Sequence, residues 1–341
     1  MRLSVEKGRG PSLTAVLVAA LTACGGGGGG GPPAPPPTSP PGPPASGPAW
    51  PMFSRDTQHT AISAIATPPL NRILWQTPVD LAPQYVGGGE YLLAHYGSPV
   101  ISALNTVLVP VKTTAQGSFR FEARSGSTGE LMWSATSDYV VPPHNWFPSF
   151  NLTITANGRV YAPGAGGKLY FRDNVDSING TVETVVFYGP NVYANARAEL
   201  DAAVSISTPV TVDAAGNLWF GFLVTAANSA GLTSGVARIT GNGVGTWQPA
   251  SVLATDGTID RVAMNSAPAL STDGTTLYVA VSTAMERGYL LALDSATLAT
   301  KARVALLDPA SGSPARIPGD GTASPTIGPD GDVYFGVLES T

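Results

Sequence analysis

The chain has 341 residues and a formal charge of -5, with 12% charged residues, 40 glycines and 31 prolines. Soluble domains carry about 25% charged residues, so Ser, Thr, Asn and backbone must cover this surface in place of ion pairs. Mild acidity without a basic cluster argues against nucleic acid as a partner.

Residues 1–24 form an address rather than part of a fold. Arg2, Lys7 and Arg9 make a basic start, and residues 13–21 are an apolar stretch too short to span a bilayer as a mature helix. Leu21-Thr22-Ala23-Cys24 closes it, and this tetrapeptide resembles the lipobox of bacterial lipoproteins. The resemblance implies a lipoprotein signal peptide over 1–24 and lipidation of Cys24, the one cysteine in the chain. A plain secretory signal with an incidental cysteine is the alternative. Acyl chains on Cys24 would make the membrane a partner, each buried methylene adding about 0.8 kcal/mol of affinity. Gly25 stands where an Asp would retain a lipoprotein at the inner membrane, so the expected location is the cell envelope, as an outer-membrane lipoprotein facing periplasm or surface. Residues 25–31 are all glycine and 32–49 are dominated by proline. Such a stretch cannot bury a core, which predicts a Gly/Pro-rich disordered tether over 25–49. A proline ligand for an aromatic-lined module is its other conceivable use.

From Trp50 onward one pattern recurs. Ser98-Pro99-Val100-Ile101 leads to Val107-Leu108-Val109, and Ser149-Phe150-Asn151-Leu152 leads through Asn157-Gly158 to Val160-Tyr161. Ser207-Thr208-Pro209-Val210 leads through Ala215-Gly216-Asn217 to Leu218-Trp219-Phe220. Ser266-Ala267-Pro268-Ala269 leads through Asp273-Gly274 to Leu277-Tyr278-Val279, and Ser324-Pro325-Thr326-Ile327 leads through Asp330-Gly331 to Val333-Tyr334-Phe335. Pairs such as Asp-Gly and Asn-Gly tolerate the positive φ of a tight hairpin turn. Equivalent positions 99, 150, 209, 268 and 325 are 51, 59, 59 and 57 apart. The second half of each unit is looser. Residues 119–121 and 127–133 supply it in the first unit, 169–172 and 184–188 in the second, 236–240 and Trp247 in the third, 289–293 and 302–306 in the fourth. Runs of about five residues are strand-length and too short for ordinary helices. Four antiparallel strands repeated at this long period predict an all-β chain, a β-propeller of four-stranded blades with about five visible and the last incomplete. A β-sandwich is the runner-up, but it gives no reason for a near-constant period.

Tyr289-Leu290-Leu291-Ala292-Leu293-Asp294-Ser295-Ala296-Thr297 and Ser127-Thr128-Gly129-Glu130-Leu131-Met132-Trp133 resemble the repeat of the PQQ-like, or quinoprotein-like, β-propellers. Trp50-Pro51-Met52-Phe53-Ser54-Arg55-Asp56 is similar to the opening common in that group. The likeness covers most of 50–341, departs at Gly241-Asn242-Gly243, and loses both the Gly and the final Trp in the fourth unit. Residues 71–76 have the pattern of an outermost strand, which predicts that the N-terminal segment completes the final blade. A third strand would still be missing there, so the propeller over 50–341 is expected to be truncated or open after its fifth blade.

Catalytic patterns are scarce. His59, His95 and His144 are widely spaced, with no HExxH motif, and each is most simply a loop or hydrogen-bonding residue. Residues 231–235 lack nucleophile-elbow spacing and lie between strands. Asp173 and Asp176 could offer oxygens to Ca²⁺, but they fall at a turn, where Asp is common anyway. Quinoprotein dehydrogenases resemble one another in adjacent cysteines, a Ca²⁺ site and a stacking Trp. The cysteine pair is absent, and Trp50, Trp75, Trp133, Trp146, Trp219 and Trp247 mostly sit where an aromatic packs against the next blade. The long connections 194–205 and 307–323 are where a propeller presents binding groups. His144, Asn145, Trp146 and Phe147 form the most ligand-like cluster, a polar pair beside two aromatics, with packing between blades as its alternative use.

Three functions remain open. The first is a lipid-anchored, non-catalytic propeller that binds a protein, peptide or glycan at a rim, with no cofactor. The second is a periplasmic oxidoreductase using PQQ with Ca²⁺, and the third a glycan-degrading propeller, for which no carboxylate pair can be assigned. Fold alone does not choose among them.

Overall fold

The computed structural model describes residues 47–67, 69–83, 85–86, 91–92, 97–114, 117–140, 150–283, 287–317 and 323–340. The signal peptide, Cys24, nearly all of the tether and the cluster His144, Asn145, Trp146 and Phe147 lie outside them.

After a short hairpin, β1 (Tyr85–Val86) with β2 (Tyr91–Leu92), the chain makes five antiparallel sheets in sequence order. The first is β3 (Val100–Ile101), β4 (Thr106–Thr114), β5 (Gly117–Ser125) and β6 (Leu131–Val140). The second is β7 (Thr153–Ile154), β8 (Val160–Pro163), β9 (Lys168–Arg172) and β10 (Val182–Val186). In the third, β11 (Val204–Ile206) and β12 (Thr211–Val212) both pair with β13 (Leu218–Val224), followed by β14 (Gly235–Ile239) and β15 (Gly245–Pro249). The fourth repeats this: β16 (Arg261–Val262) and β17 (Ala269–Leu270) on β18 (Thr276–Ser282), then β19 (Gly288–Asp294) and β20 (Thr300–Ala305). The inner strand is thus split in two, around Pro209 in one sheet and Pro268 in the other. Proline has no N–H to give a ladder and is confined to such breaks. The fifth sheet shows β21 (Thr326–Ile327) and β22 (Val333–Tyr334).

All five hairpins expected from the repeat are present in matching register. Val100, Thr153, Thr211, Ala269 and Thr326 stand opposite Leu108, Tyr161, Trp219, Tyr278 and Tyr334. The first sheet's strands run longer than the apolar runs suggest, because β6 alternates buried Trp133, Ser137 and Tyr139 with exposed polar residues.

The apolar core lies between neighbouring sheets. Phe119, Phe121 and Tyr139 of the first meet Phe150, Leu152 and Val160 of the second. Tyr161, Leu169 and Phe187 meet Phe220 and Phe222 of the third, and Trp219 and Val236 meet Leu277 and Leu291 of the fourth. Each such side chain contributes about 1.5–3 kcal/mol on burial, and only a neighbouring sheet can supply that burial. Hydrogen bonds repeat the same step: Thr153 Oγ1 donates to Val210 C=O at 2.6 Å, and Thr211 Oγ1 donates to Pro268 C=O.

Two expectations are corrected. Residues 71–76 form no strand; instead Trp75 lies on the β5–β6 turn, its Nε1–H donating to Gly126 C=O at 3.0 Å. A Cβ on Gly129, at φ +75°, would fall 2.6 Å from the Trp75 ring, so that turn needs glycine twice over. The expected connection 194–205 is mostly helix, α1 (Pro190–Ala203), with Pro190 at the first turn and Leu200 and Ala203 entering the core. A shorter helix, α2 (Ala250–Ala254), links the third and fourth sheets.

Candidate functional site

The inner strand of each sheet presents one N–H away from its own hairpin ladder, because N–H groups alternate sides along an antiparallel strand. These N–H groups converge on residues 50–59. Trp50 and Ile101 exchange N–H to C=O bonds at 2.8 Å, and Ile154 N–H donates to Pro51 C=O at 2.7 Å. Leu270 N–H donates to Thr57 C=O at 2.8 Å, and Ile327 N–H to Gln58 C=O at 2.9 Å. The Gln58 side chain returns two bonds, from Nε2 to Leu270 C=O and Ser271 C=O, both 3.2 Å. His59 Nδ1 donates to Pro325 C=O at 2.8 Å. One short segment therefore touches the first, second, fourth and fifth inner strands at a single register level. Such convergence requires that the sheets be arranged around a common axis.

No family model matches the chain, and no curated protein matches it. Solved structures do. Quinohemoprotein alcohol dehydrogenase from Comamonas testosteroni is 12% identical over 87% of this chain and 46% of its own, with a TM-score of 0.52. A europium-containing methanol dehydrogenase is 11% identical over 83% and 67%, with a TM-score of 0.45, and the Dos1 propeller 10% identical over 74% and 55%, at 0.47. The fold is a β-propeller. Identities this low carry the fold alone, and the chain spans about half, 46%, of the length of the quinohemoprotein.

In the propeller, residues 50–59 are a plug across one mouth of the shaft. Ser54, Arg55, His59 and Ala61 have φ of 49°, 78°, 58° and 52°, so four of the ten non-glycine residues with positive φ among the described residues lie within or beside the plug. Each is a sparsely populated conformation, about 1–3 kcal/mol above the ordinary regions, and such strain persists only where surrounding bonds fix it.

Beside the plug lies a half-open cleft of about 550 Å³. Its walls are the inner hairpin turns of the first three blades, and its floor carries Met52, Val175 and Val212. Asp56, Asp176, Asp213 and Arg55 supply its charge. Every carboxylate is braced. Asp56 accepts from Thr60 N–H at 2.9 Å, Asp176 from Ser102 Oγ at 2.5 Å, and Asp213 from both Asn217 N–H and Nδ2 at 2.8 Å. The arrangement displays fixed acceptors over an apolar floor, which suits binding.

The other face carries the connections between blades. Two adjoining hollows of about 440 and 530 Å³ share Ile259 and Asp260, and the second reaches Tyr289 and Leu307. Leu307 opens one of the long connections expected to face a ligand. Elsewhere the polar groups are already committed. Lys168 Nζ lies 2.5 Å from Asp138 Oδ2 and donates to Tyr193 Oη at 3.0 Å, with the Tyr170 and Tyr193 rings 5.5 and 5.4 Å away. Burial pushes the Lys168 pKa down, but its bonds to Asp138 and Tyr193 outweigh that and hold it well above the ordinary lysine value. It is a fastened ammonium, not a nucleophilic amine. Asp173 pairs with Arg159 at 2.7 Å in the β9–β10 turn, as a structural residue would.

Sequence reasoning singled out Trp50 to Asp56 as a family opening and missed that it seals the shaft. Its clue was present: a turn-rich segment without strand alternation, ahead of the first repeat.

Proposed function

We propose that the chain is a lipid-anchored, non-catalytic binding propeller of the cell envelope, holding a protein, peptide or glycan partner at the plugged mouth. The observation that supports this reading is the cleft itself. It has the volume of a ligand site, an apolar floor, and polar groups held rigid by neighbours in the fold. The anchor is tested by labelling cells with a fatty-acid probe: Cys24→Ala should abolish incorporation, and retained label would remove the anchor from the account. The binding role is tested by affinity capture from envelope extract with the full-length chain as bait. A partner recovered in fixed proportion supports it, and its absence counts against it.

A PQQ-dependent oxidoreductase is the other reading, suggested by the likeness to quinoprotein dehydrogenases. Four of the described tryptophans are engaged within the fold. Trp133 lies under the Arg172 guanidinium at 4.0 Å, Trp219 donates to Ser295 C=O at 2.8 Å with Arg238 over its ring, Trp75 covers Gly129, and Trp247 meets Phe222 edge-on. Trp133, 8% exposed, and Trp219, 2% exposed, keep no open face for stacking. Nor do three His, Cys, Asp or Glu gather into a metal-holding group among the described residues. Adding PQQ and Ca²⁺ should leave the unfolding midpoint unchanged; a rise would restore this reading.

A further inference from the structure

The plug answers four of five equivalent N–H groups with a main-chain carbonyl, and the unanswered one is Val212. Its register is fixed by Asp213 N–H, which donates to Asn217 C=O at 3.0 Å. That bond turns the preceding N–H away from β13 and toward the shaft, just as Thr155 N–H on Arg159 C=O turns Ile154 onto Pro51. Val212 is only 3% exposed, and no acceptor among the described residues meets its N–H. A buried donor left so is costly, and native structures rarely tolerate it. The plug leaves the inner strands at this point, turning back where Arg55 N–H donates to Met52 C=O at 3.0 Å. The cleft of about 550 Å³ opens there, with Val212 in its lining.

We propose, building on the binding-propeller reading, that this cleft takes an extended peptide whose main-chain carbonyl accepts from Val212 N–H and whose basic side chain faces Asp176 and Asp213. Two observations choose this ligand. Peptide carbonyls already occupy the same register position in the other four blades, so the fold itself shows what the position accepts. Three carboxylates against one guanidinium line the cleft, which favours a cationic segment and disfavours an anionic one. Ala156 and Ala214, exposed in the lining, offer the apolar surface that a neighbouring aliphatic side chain needs. The mode is that of a peptide strand adding to an exposed main-chain row.

The test is fluorescence anisotropy on the full-length chain in detergent, with a labelled Ala-Leu-Lys-Leu-Ala peptide as probe. Saturable binding is expected, weakened about tenfold or more when glutamate replaces the probe's lysine. Ala214→Trp, on an exposed turn lining the cleft, should fill it and abolish binding without moving the unfolding midpoint. Val212→Pro removes the donor, along with part of a buried side chain, and should weaken binding about tenfold, since its N–H lies outside the ladder. If that variant fails to fold, Ala214→Trp decides alone. No saturable binding, equal binding by Ala214→Trp, or equal binding of the glutamate peptide overturns the inference. A neutral oligosaccharide that binds where the peptide does not overturns it as well. Envelope capture that survives Ala214→Trp while the peptide fails would leave the binding-propeller reading standing without this site.

Discussion

His59 shows how the plug substitutes for a missing side chain. At two blade junctions a threonine hydroxyl, from Thr153 or Thr211, donates to the carbonyl before the next inner strand. At the junction of the fourth and fifth blades the equivalent residue is Ala269, and His59 Nδ1 donates to Pro325 C=O instead. That bond makes Nδ1 the protonated nitrogen, leaving Nε2 buried without a partner. Burial pushes the His59 pKa below the imidazole's ordinary 6.5, against smaller upward pulls from Pro325 C=O and Asp56. The folded chain therefore prefers the neutral ring, and unfolding takes up a proton. This contribution is full above pH 6.5 and is lost as pH falls from there through the folded pKa. Urea melts at pH 7.5 and 5.5 should show lower stability at the acid end, and His59→Phe should reduce that difference. The same substitution should cost about 1 kcal/mol at pH 7.5 by orphaning Pro325 C=O.

Between elements, the hydroxyls set the spacing from blade to blade. Thr153→Val and Thr211→Val keep shape and remove one bond each, so each should lower stability by about 1 kcal/mol. The two should add in the double variant, because they act at separate junctions; chemical denaturation of all four chains measures this. Lys168→Met should cost about 1–2 kcal/mol and loosen α1, since Asp138 and Asp201 lose their shared cation, and helix signal in a thermal melt reports it. The hairpins were legible in the sequence because turn residues such as Asp273-Gly274 punctuate four of the five repeats at a fixed place. α1 was not, because Ala and Asn dominate it and its apolar stripe is too thin for a clear 3.6-residue period. Nor was the cleft. It depends on one register position repeated across five sheets, and Val212 looks in the sequence like any strand valine. Residues 71–76 misled for the opposite reason, since an apolar run ending in Trp75 matches an outer strand yet is used as a lid on Gly129.

For the molecule as a whole, the plug acts where a blade cannot. Adjacent sheets bury one another, but residues 50–59 alone among the described residues join the fifth inner strand to the first by hydrogen bonds near the axis. A chain beginning at residue 62 should therefore lose protection against hydrogen exchange at Ile101, Ile154, Leu270 and Ile327 together, along with a drop in unfolding midpoint. Loss at Ile101 alone would mean that the blades hold one another without it.

The plug's path has a mechanical corollary. A pull on the backbone preceding Trp50 is met first by Gly47 N–H on Ala103 C=O and the paired bonds to Ile101, next by Ile154, and only after the turn at residues 52–56 by Leu270 and Ile327. Load from that end would thus peel the fastening one blade at a time, in chain order, and the turn at residues 52–56, tied by Arg55 N–H to Met52 C=O and by Ala61 N–H to Ser54 C=O, would have to open before the far side of the ring feels any tension.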